Sequence, residues 1–350
     1  MKSTTPLIAL LLLAPACSSD DDEGTAGTDD AYEKQVTNGM HTTLLADVED
    51  LRDAAVALQA AAPAPTGRGW DATLDAAAIT AMTDAWLDAR AAYERTEGAL
   101  APLFPEADAA IDARYEDFLE EGADADLFDG EGVTGMHAIE RILFVADTPD
   151  SVVTVEERIP GYKAAAWPAT QAEAAAFKNE LAAQLVTDTQ ELLDQWQPQR
   201  IDLGGAFNGL ISLMNEQREK VNKAASEEEE SRYSRRTLAD LRDNLAGTQR
   251  AYGLFEAWLK SKPNGAAIDA DIQASFDALE ETYTGFTGDA IPAPPATWSA
   301  ETPSAADLQT PFGRLYAAVQ SAVDPNEAGS AVDGMNRAAK ELGFPEFVEE

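Results

Sequence analysis

From about Tyr32 onward, apolar stretches carry charges at three- and four-residue offsets, the spacing of amphipathic helices. No convincing run of β-branched residues alternates with period two. The pattern predicts helices near residues 33–62, 73–101, 106–121, 133–146 and 170–197. Their boundaries are the Pro-rich PAPTGRG, the pair Pro102 and Pro105, the Gly/Asp segment GADADLFDGEG, and a loop with Pro149, Pro160 and Pro168. A second block starts near Leu203, with helices near 205–227, 235–261 and 267–284. After the break AIPAPPATW come two shorter helices near 304–322 and 327–342. Nine or ten helices on short turns imply an all-α fold of two packed bundles, 33–202 and 203–350. No tandem repeat of about 20–50 residues is present.

The first residues read differently. MKSTTPLIALLLLAPAC places Lys2 ahead of the apolar stretch Leu7–Leu13 and small residues ahead of Cys17. Seven apolar residues fall short of the ~20 that cross a bilayer, so residues 1–17 are predicted to be a signal peptide. The lone cysteine after that stretch resembles a bacterial lipobox, which makes Cys17 the expected lipid attachment point. Residues 18–32, opening SSDDDEGTAGTDD, are expected to form a flexible acidic tether. The expected location is the bacterial cell envelope, on a membrane through the lipid alone, facing the periplasm or the exterior.

Charge narrows the function classes. With 25 Lys and Arg against 63 Asp and Glu, the formal net charge is −38, so the surface repels phosphate backbones and nucleic-acid binding is excluded. One cysteine rules out a disulfide framework and Cys-rich metal sites, and two histidines rule out a His-rich cage.

Polar groups stand in otherwise apolar helical segments at four places. In Gly135-Met136-His137-Ala138-Ile139-Glu140, the imidazole and carboxylate are three apart and share a helix face. A charge there needs a partner or a metal, and Gly135 would let a neighbouring backbone approach closely. Glu94 and Glu97 are also three apart, after the apolar face of Trp86, Ala89 and Tyr93, and repel unless a cation or proton sits between them. Asp112 is a possible ligand, with Arg114 as the ion-pair partner that orients a carboxylate. Solvated helix faces would explain each pair separately, and a satisfied core histidine would explain His137. Together they match the way helical bundles assemble metal sites, and one nitrogen with several oxygens suits iron or manganese, with zinc or copper feasible. In the second block, Glu227–Glu230 precede Ser231-Arg232-Tyr233-Ser234, with Asp240 and Asn244 on one face further on. Ser234 is expected to N-cap the helix that follows, and Glu228 or Glu229 could reach a cleft between the bundles.

The series YERTE, IDAR, GMHAIE and EEEESRYS resembles the imelysin-like proteins, in particular the EfeO/EfeM type of periplasmic iron-uptake component, over about residues 33–260. With no preceding cupredoxin-like domain, the chain is more similar to the shorter EfeM-like architecture. The resemblance implies paired all-α bundles and a metal site in which His137 and Glu140 are the motif ligands, with Glu94, Glu97 and Asp112 as nearby carboxylates. It implies iron as the ion and an inner-membrane iron permease as partner. The family also carries a peptidase label, but a single His with several carboxylates is a poor zinc-hydrolase set, and His41 lies in another helix as a packing or surface residue. Two other roles stay open: a metallopeptidase, and a module for an acidic polysaccharide or protein partner bridged by ions such as calcium.

Overall fold

The computed structural model describes residues 23–115, 126–196, 200–345 and 347, with side chains described from Thr28 onward. Cys17 and the whole predicted signal peptide lie outside the described residues. Every regular element among the described residues is helical. Helix α1 (Glu23–Ala61) lies against α2 (Ala76–Glu94) and α8 (Ala182–Trp196). It is the longest element, and it corrects one expectation: residues 23–32, predicted to belong to the tether, are its first turns. Asp29 explains part of this, because its carboxylate accepts from Trp258 Nε1 at 3.0 Å and Lys262 Nζ at 2.8 Å. The N-terminal end of α1 is thereby fastened to the far half of the chain.

The predicted helix 73–101 is two helices, α2 and α3 (Glu97–Leu103). Between them, Thr96 Oγ1 donates to the Tyr93 carbonyl at 2.8 Å, capturing an acceptor at the end of α2. The backbone of α10 (Thr237–Gly253) presses on this junction at Gly247, where a Cβ would come within 2.2 Å of the Arg95 carbonyl oxygen. Only a residue without a side chain allows that approach.

Helix α4 (Pro105–Asp112) ends where the site begins. Helix α5 (Gly135–Leu143) is buried along its entire length, as the sequence MHAIERIL suggested. Gly135 is in the left-handed region at φ 78°, and a Cβ there would stand 2.7 Å from the carbonyl oxygen of Ile111. The start of α5 is thus pressed onto the last turn of α4, and Trp86 Nε1 donates to the Met136 carbonyl at 2.9 Å to hold it.

Helix α6 (Asp150–Glu156), which the prolines concealed, precedes α7 (Gln171–Ala176), a π turn (Phe177–Leu181) and α8. The second half consists of α9 (Leu203–Lys223), α10, α11 (Glu256–Lys260), α12 (Gly265–Thr284), a 3-10 turn (Asp307–Gln309), α13 (Pro311–Val323) and α14 (Ala331–Leu342). Helix α9 contacts α3, α10, α13 and α14, and α10 also contacts α2. Apolar residues of both halves join in one cluster, including Trp86, Leu100, Phe207, Leu210, Leu245 and Tyr283. The helices nearest that seam, α2, α3, α9 and α10, carry the polar residues described next. Among the described residues no helix is long and apolar enough to cross a membrane.

Candidate metal centre

His137 is 1% exposed. Its Nδ1–H donates to Glu140 Oε2 at 2.8 Å across one helical turn, and Glu140 Oε1 accepts the backbone N–H of Ser234 at 2.8 Å. A carboxylate held in this way fixes the orientation of the ring and keeps a proton on Nδ1, so Nε2 is the nitrogen a metal ion would take on displacing its proton. Nε2 points toward Asp112, 3.4 Å from Oδ1, and it is buried with no hydrogen-bond partner. Oxygen atoms of Asp112 and Glu230 and the nitrogen of His137 lie within 4.8 Å of one another. A buried, oriented imidazole nitrogen beside two carboxylates offers one nitrogen and several hard oxygens, donors that suit ions of the iron type.

Two fixed cations share those carboxylates. Arg90, fully buried on α2, ion-pairs with Glu94 one turn along and with Asp112. Its guanidinium also lies 3.2 Å from Glu230 and 3.7 Å from Asp240. Lys220, on α9, holds both oxygens of Glu97 at 3.1 Å and Glu230 Oε2 at 3.0 Å. Asn244 of α10 ties the two acids of α2 and α3 together, donating to Glu94 and, at 2.8 Å, to Glu97. Its carbonyl oxygen in turn accepts from Gln217 at 3.1 Å, and Gln217 accepts from the Tyr283 hydroxyl at 2.9 Å. Oxygens of Glu94, Glu230 and Asp240 form a second close group.

Burial and crowding set the protonation of this cluster. Burial drives Glu97 up to about 7 against the pull of Lys220, and it raises Glu94 well above the carboxylate range against Arg90. Asp240 rises to about 6, again through burial. Burial would raise Glu230 too, but Lys220 and Arg90 hold it below its usual range. For His137 burial acts downward, and the charge of Asp112 with the contacts to Asp112 and Glu140 overcomes it, carrying the imidazole up to about 9. Glu230 and His137 thus keep opposite charges side by side, while burial biases Glu94 and Glu97 toward their protonated forms.

The structure brings Asp112 and His137 together as predicted, with Glu140 on the far nitrogen of the ring. Glu94 and Glu97 stand beside this group, engaged by Arg90, Lys220 and Asn244. Arg114 lines the same cavity and its charge lowers Glu219, while the guanidinium on Asp112 is that of Arg90. The expected N-cap role of Ser234 is corrected: the following helix starts at Thr237 with Arg236 before it, and the Ser234 N–H serves Glu140 instead. From the acidic run, Glu230 reaches the site, whereas Glu229 is buried 3.4 Å from Arg235. Sequence reasoning missed Glu230, Arg90 and Lys220. The i, i+4 spacing of Arg90 and Glu94 was a visible signal; nothing in four consecutive glutamates distinguishes the last. His41 packs edge-on against Trp196, with ring centroids 5.9 Å apart.

A cavity of about 370 Å³ is lined by Glu97, Asp112, Lys220 and Glu230 of this group together with Arg114, Glu216, Glu219 and Lys223.

Comparison with known proteins agrees with this architecture. The profile of the imelysin family (peptidase M75) matches residues 38–323. An Efem/EfeO family lipoprotein of Staphylococcus haemolyticus is 28% identical over 189 residues, 54% of this chain and 53% of its own. An iron uptake system component EfeO of Yersinia pseudotuberculosis is 30% identical over 199 residues, 55% of this chain and 42% of that one. The chain thus spans about half the length of the curated relatives it matches. Among solved structures, an imelysin-like protein of Psychrobacter arcticum aligns over 92% of this chain and 98% of its own, with a TM-score of 0.61 and 14% identity. An iron-regulated protein A precursor of Parabacteroides distasonis aligns over 89% of this chain and 94% of its own, with a TM-score of 0.51 and 15% identity.

Proposed function

This chain belongs to the imelysin family, and from that premise we propose that it is an iron-binding component of a cell-envelope uptake system, anchored as a lipoprotein through Cys17. Its relatives named as iron-uptake components and lipoproteins support the role. The observation that carries the reading is the convergence of the buried His137 imidazole with the carboxylates of Asp112 and Glu230, whose ligand atoms lie within 4.8 Å of one another. Asp112, His137 and Glu230 are the proposed ligands, Glu140 orients the imidazole, and Glu94 and Glu97 stand beside them, engaged by Arg90, Lys220 and Asn244. Water or other oxygen donors in the cavity complete the shell. No bond is made or broken: the ion enters through the cavity, is held, and is passed to a membrane permease.

One nitrogen with hard oxygens favours iron or manganese over ions that prefer thiolates. Arg90 has two consequences for binding. It prevents the acids from repelling one another when no ion is bound, and it competes for Asp112, which keeps affinity within a range that allows release. The test is iron retained after gel filtration, measured by elemental analysis. Wild-type protein is expected to keep close to one iron per chain, and His137→Ala with Glu230→Gln to lose at least ~90% of it. Equal retention by that folded double variant overturns the assignment.

A further inference from the structure

Lys220 Nζ is enclosed by oxygen atoms: Glu97 Oε1 and Oε2 at 3.1 Å, Glu230 Oε2 at 3.0 Å and Oε1 at 3.2 Å, and Asn244 Oδ1 at 3.3 Å. This is the environment of a bound cation, and the group that occupies it belongs to the protein. Its side chain is 9% exposed and lines the cavity together with Asp112 and Glu230. Glu230 belongs at once to this enclosure and to the trio with Asp112 and His137. An ion binding to that trio and the Lys220 ammonium therefore compete for one carboxylate.

The lysine also has somewhere to go. Glu216 lies one turn earlier on α9, lines the same cavity, and is held there by Ser212 Oγ at 2.8 Å. Lysine is a point charge on a flexible four-carbon stem, whereas Arg90 is a buried planar group tied to several acids at once. Of the two cations at the site, Lys220 lines the cavity and Arg90 does not.

We propose that Lys220 is a displaceable counter-cation: it holds Glu97 and Glu230 when the site is empty, and an arriving metal ion drives it toward Glu216. The exchange frees Glu230 of the ammonium so that it can hold the ion with Asp112 and His137. One cation replaces another, so the acids are never left unneutralised in a buried position, and the return of the lysine helps to expel the ion. This inference rests on the metal-binding reading above and assigns a device that tunes affinity and release.

Two measurements test it, both with Fe(II) alone under anaerobic conditions and with the described chain folded as judged by circular dichroism. In the first, wild-type protein with and without iron is pulsed with acetic anhydride, and labelling of Lys220 is read by mass spectrometry. Displacement toward the cavity mouth is expected to raise Lys220 labelling several-fold on loading, with Lys262, paired to Asp29, as the internal reference. Unchanged labelling of Lys220 in protein shown to carry iron overturns the proposal. In the second, Lys220→Met is expected to bind Fe(II) roughly tenfold or more tightly, because a competing charge a few ångströms from the ion is gone. Equal or weaker binding by that folded variant, together with lost binding in His137→Ala, overturns the counter-cation role and leaves the metal centre standing. Undiminished binding in His137→Ala overturns the metal centre, and the counter-cation role with it.

Discussion

At the scale of single residues, the imidazole and its carboxylate were legible because both sit in a helix with few other polar groups. A short apolar segment with two polar side chains three apart leaves few roles for them. The third proposed ligand was not legible, because which of Glu227–Glu230 turns inward depends on backbone shape. Glu227 and Arg235 both have positive φ, at 63° and 58°, so the segment between them turns sharply at each end. That path delivers Glu230 to the cations, the Ser234 N–H to Glu140, and Tyr233 to Glu156. Two predictions belong here. Because His137 carries its proton up to about 9, a metal taking Nε2 must displace it. Iron binding near pH 7 should release close to one proton, seen as a buffer-dependent heat in calorimetry, and affinity should weaken as pH falls. A buffer-independent heat would show that the imidazole is not the ligand.

Asp188 gives a second residue-scale prediction, away from the site. Burial raises it to about 6, although Gln184 donates to it at 2.7 Å. A carboxylate whose folded pKa lies above its unfolded value favours the folded state only while protonated. Its contribution is therefore present below about 4 and is lost as pH rises through 6. Asp188→Asn should stabilise the protein by about 1 kcal/mol at pH 7.5, after allowance for partial exposure, and change little at pH 4. Thermal melts at the two pH values check this, and equal shifts at both would contradict it.

At the scale of elements, periodicity located the long helices well, because their apolar faces repeat over many turns. It failed where a local event overrides the period. The 73–101 run breaks at Thr96 because a side chain takes a helix acceptor and Gly247 brings another backbone against the turn. Helix α6 was hidden by the prolines at 149 and 160, which flank it without entering it. Residues 23–32 looked like a linker by composition, yet Asp29 has a tertiary partner that no local pattern shows. The contact between α4 and α5 is the element-level feature that matters most, since it sets Asp112 beside His137. Gly135→Ala should force those helices apart, both by strained φ and by contact with Ile111 and Ala110. A loss of about 1–3 kcal/mol is expected, with iron affinity falling alongside it. Affinity unchanged in a destabilised Gly135→Ala protein would mean that the site does not depend on this contact.

At the scale of the whole molecule, the site gathers residues from α4, α5, α9 and the segment before α10, so an ion held there would join the two halves of the chain. Asp47 of α1 does the same with fixed charges, pairing with Arg95 at the α2–α3 junction and with Arg250 of α10. An ion bound only by the folded state stabilises it by RT ln(1 + [L]/Kd), about 2.7 kcal/mol at one hundred times Kd. Loading should therefore raise the melting temperature by several degrees in wild-type protein and by none in the His137→Ala and Glu230→Gln double variant. The net charge of −38 adds a long-range attraction for cations, which should appear as an iron association rate that falls as salt rises.

The most direct measurement is a crystal of the iron-loaded protein with diffraction recorded on both sides of the iron absorption edge. One strong anomalous peak is expected within bonding distance of His137 Nε2 and of the carboxylates of Asp112 and Glu230. A peak elsewhere, with the His137 imidazole uncoordinated, would contradict the proposed metal centre.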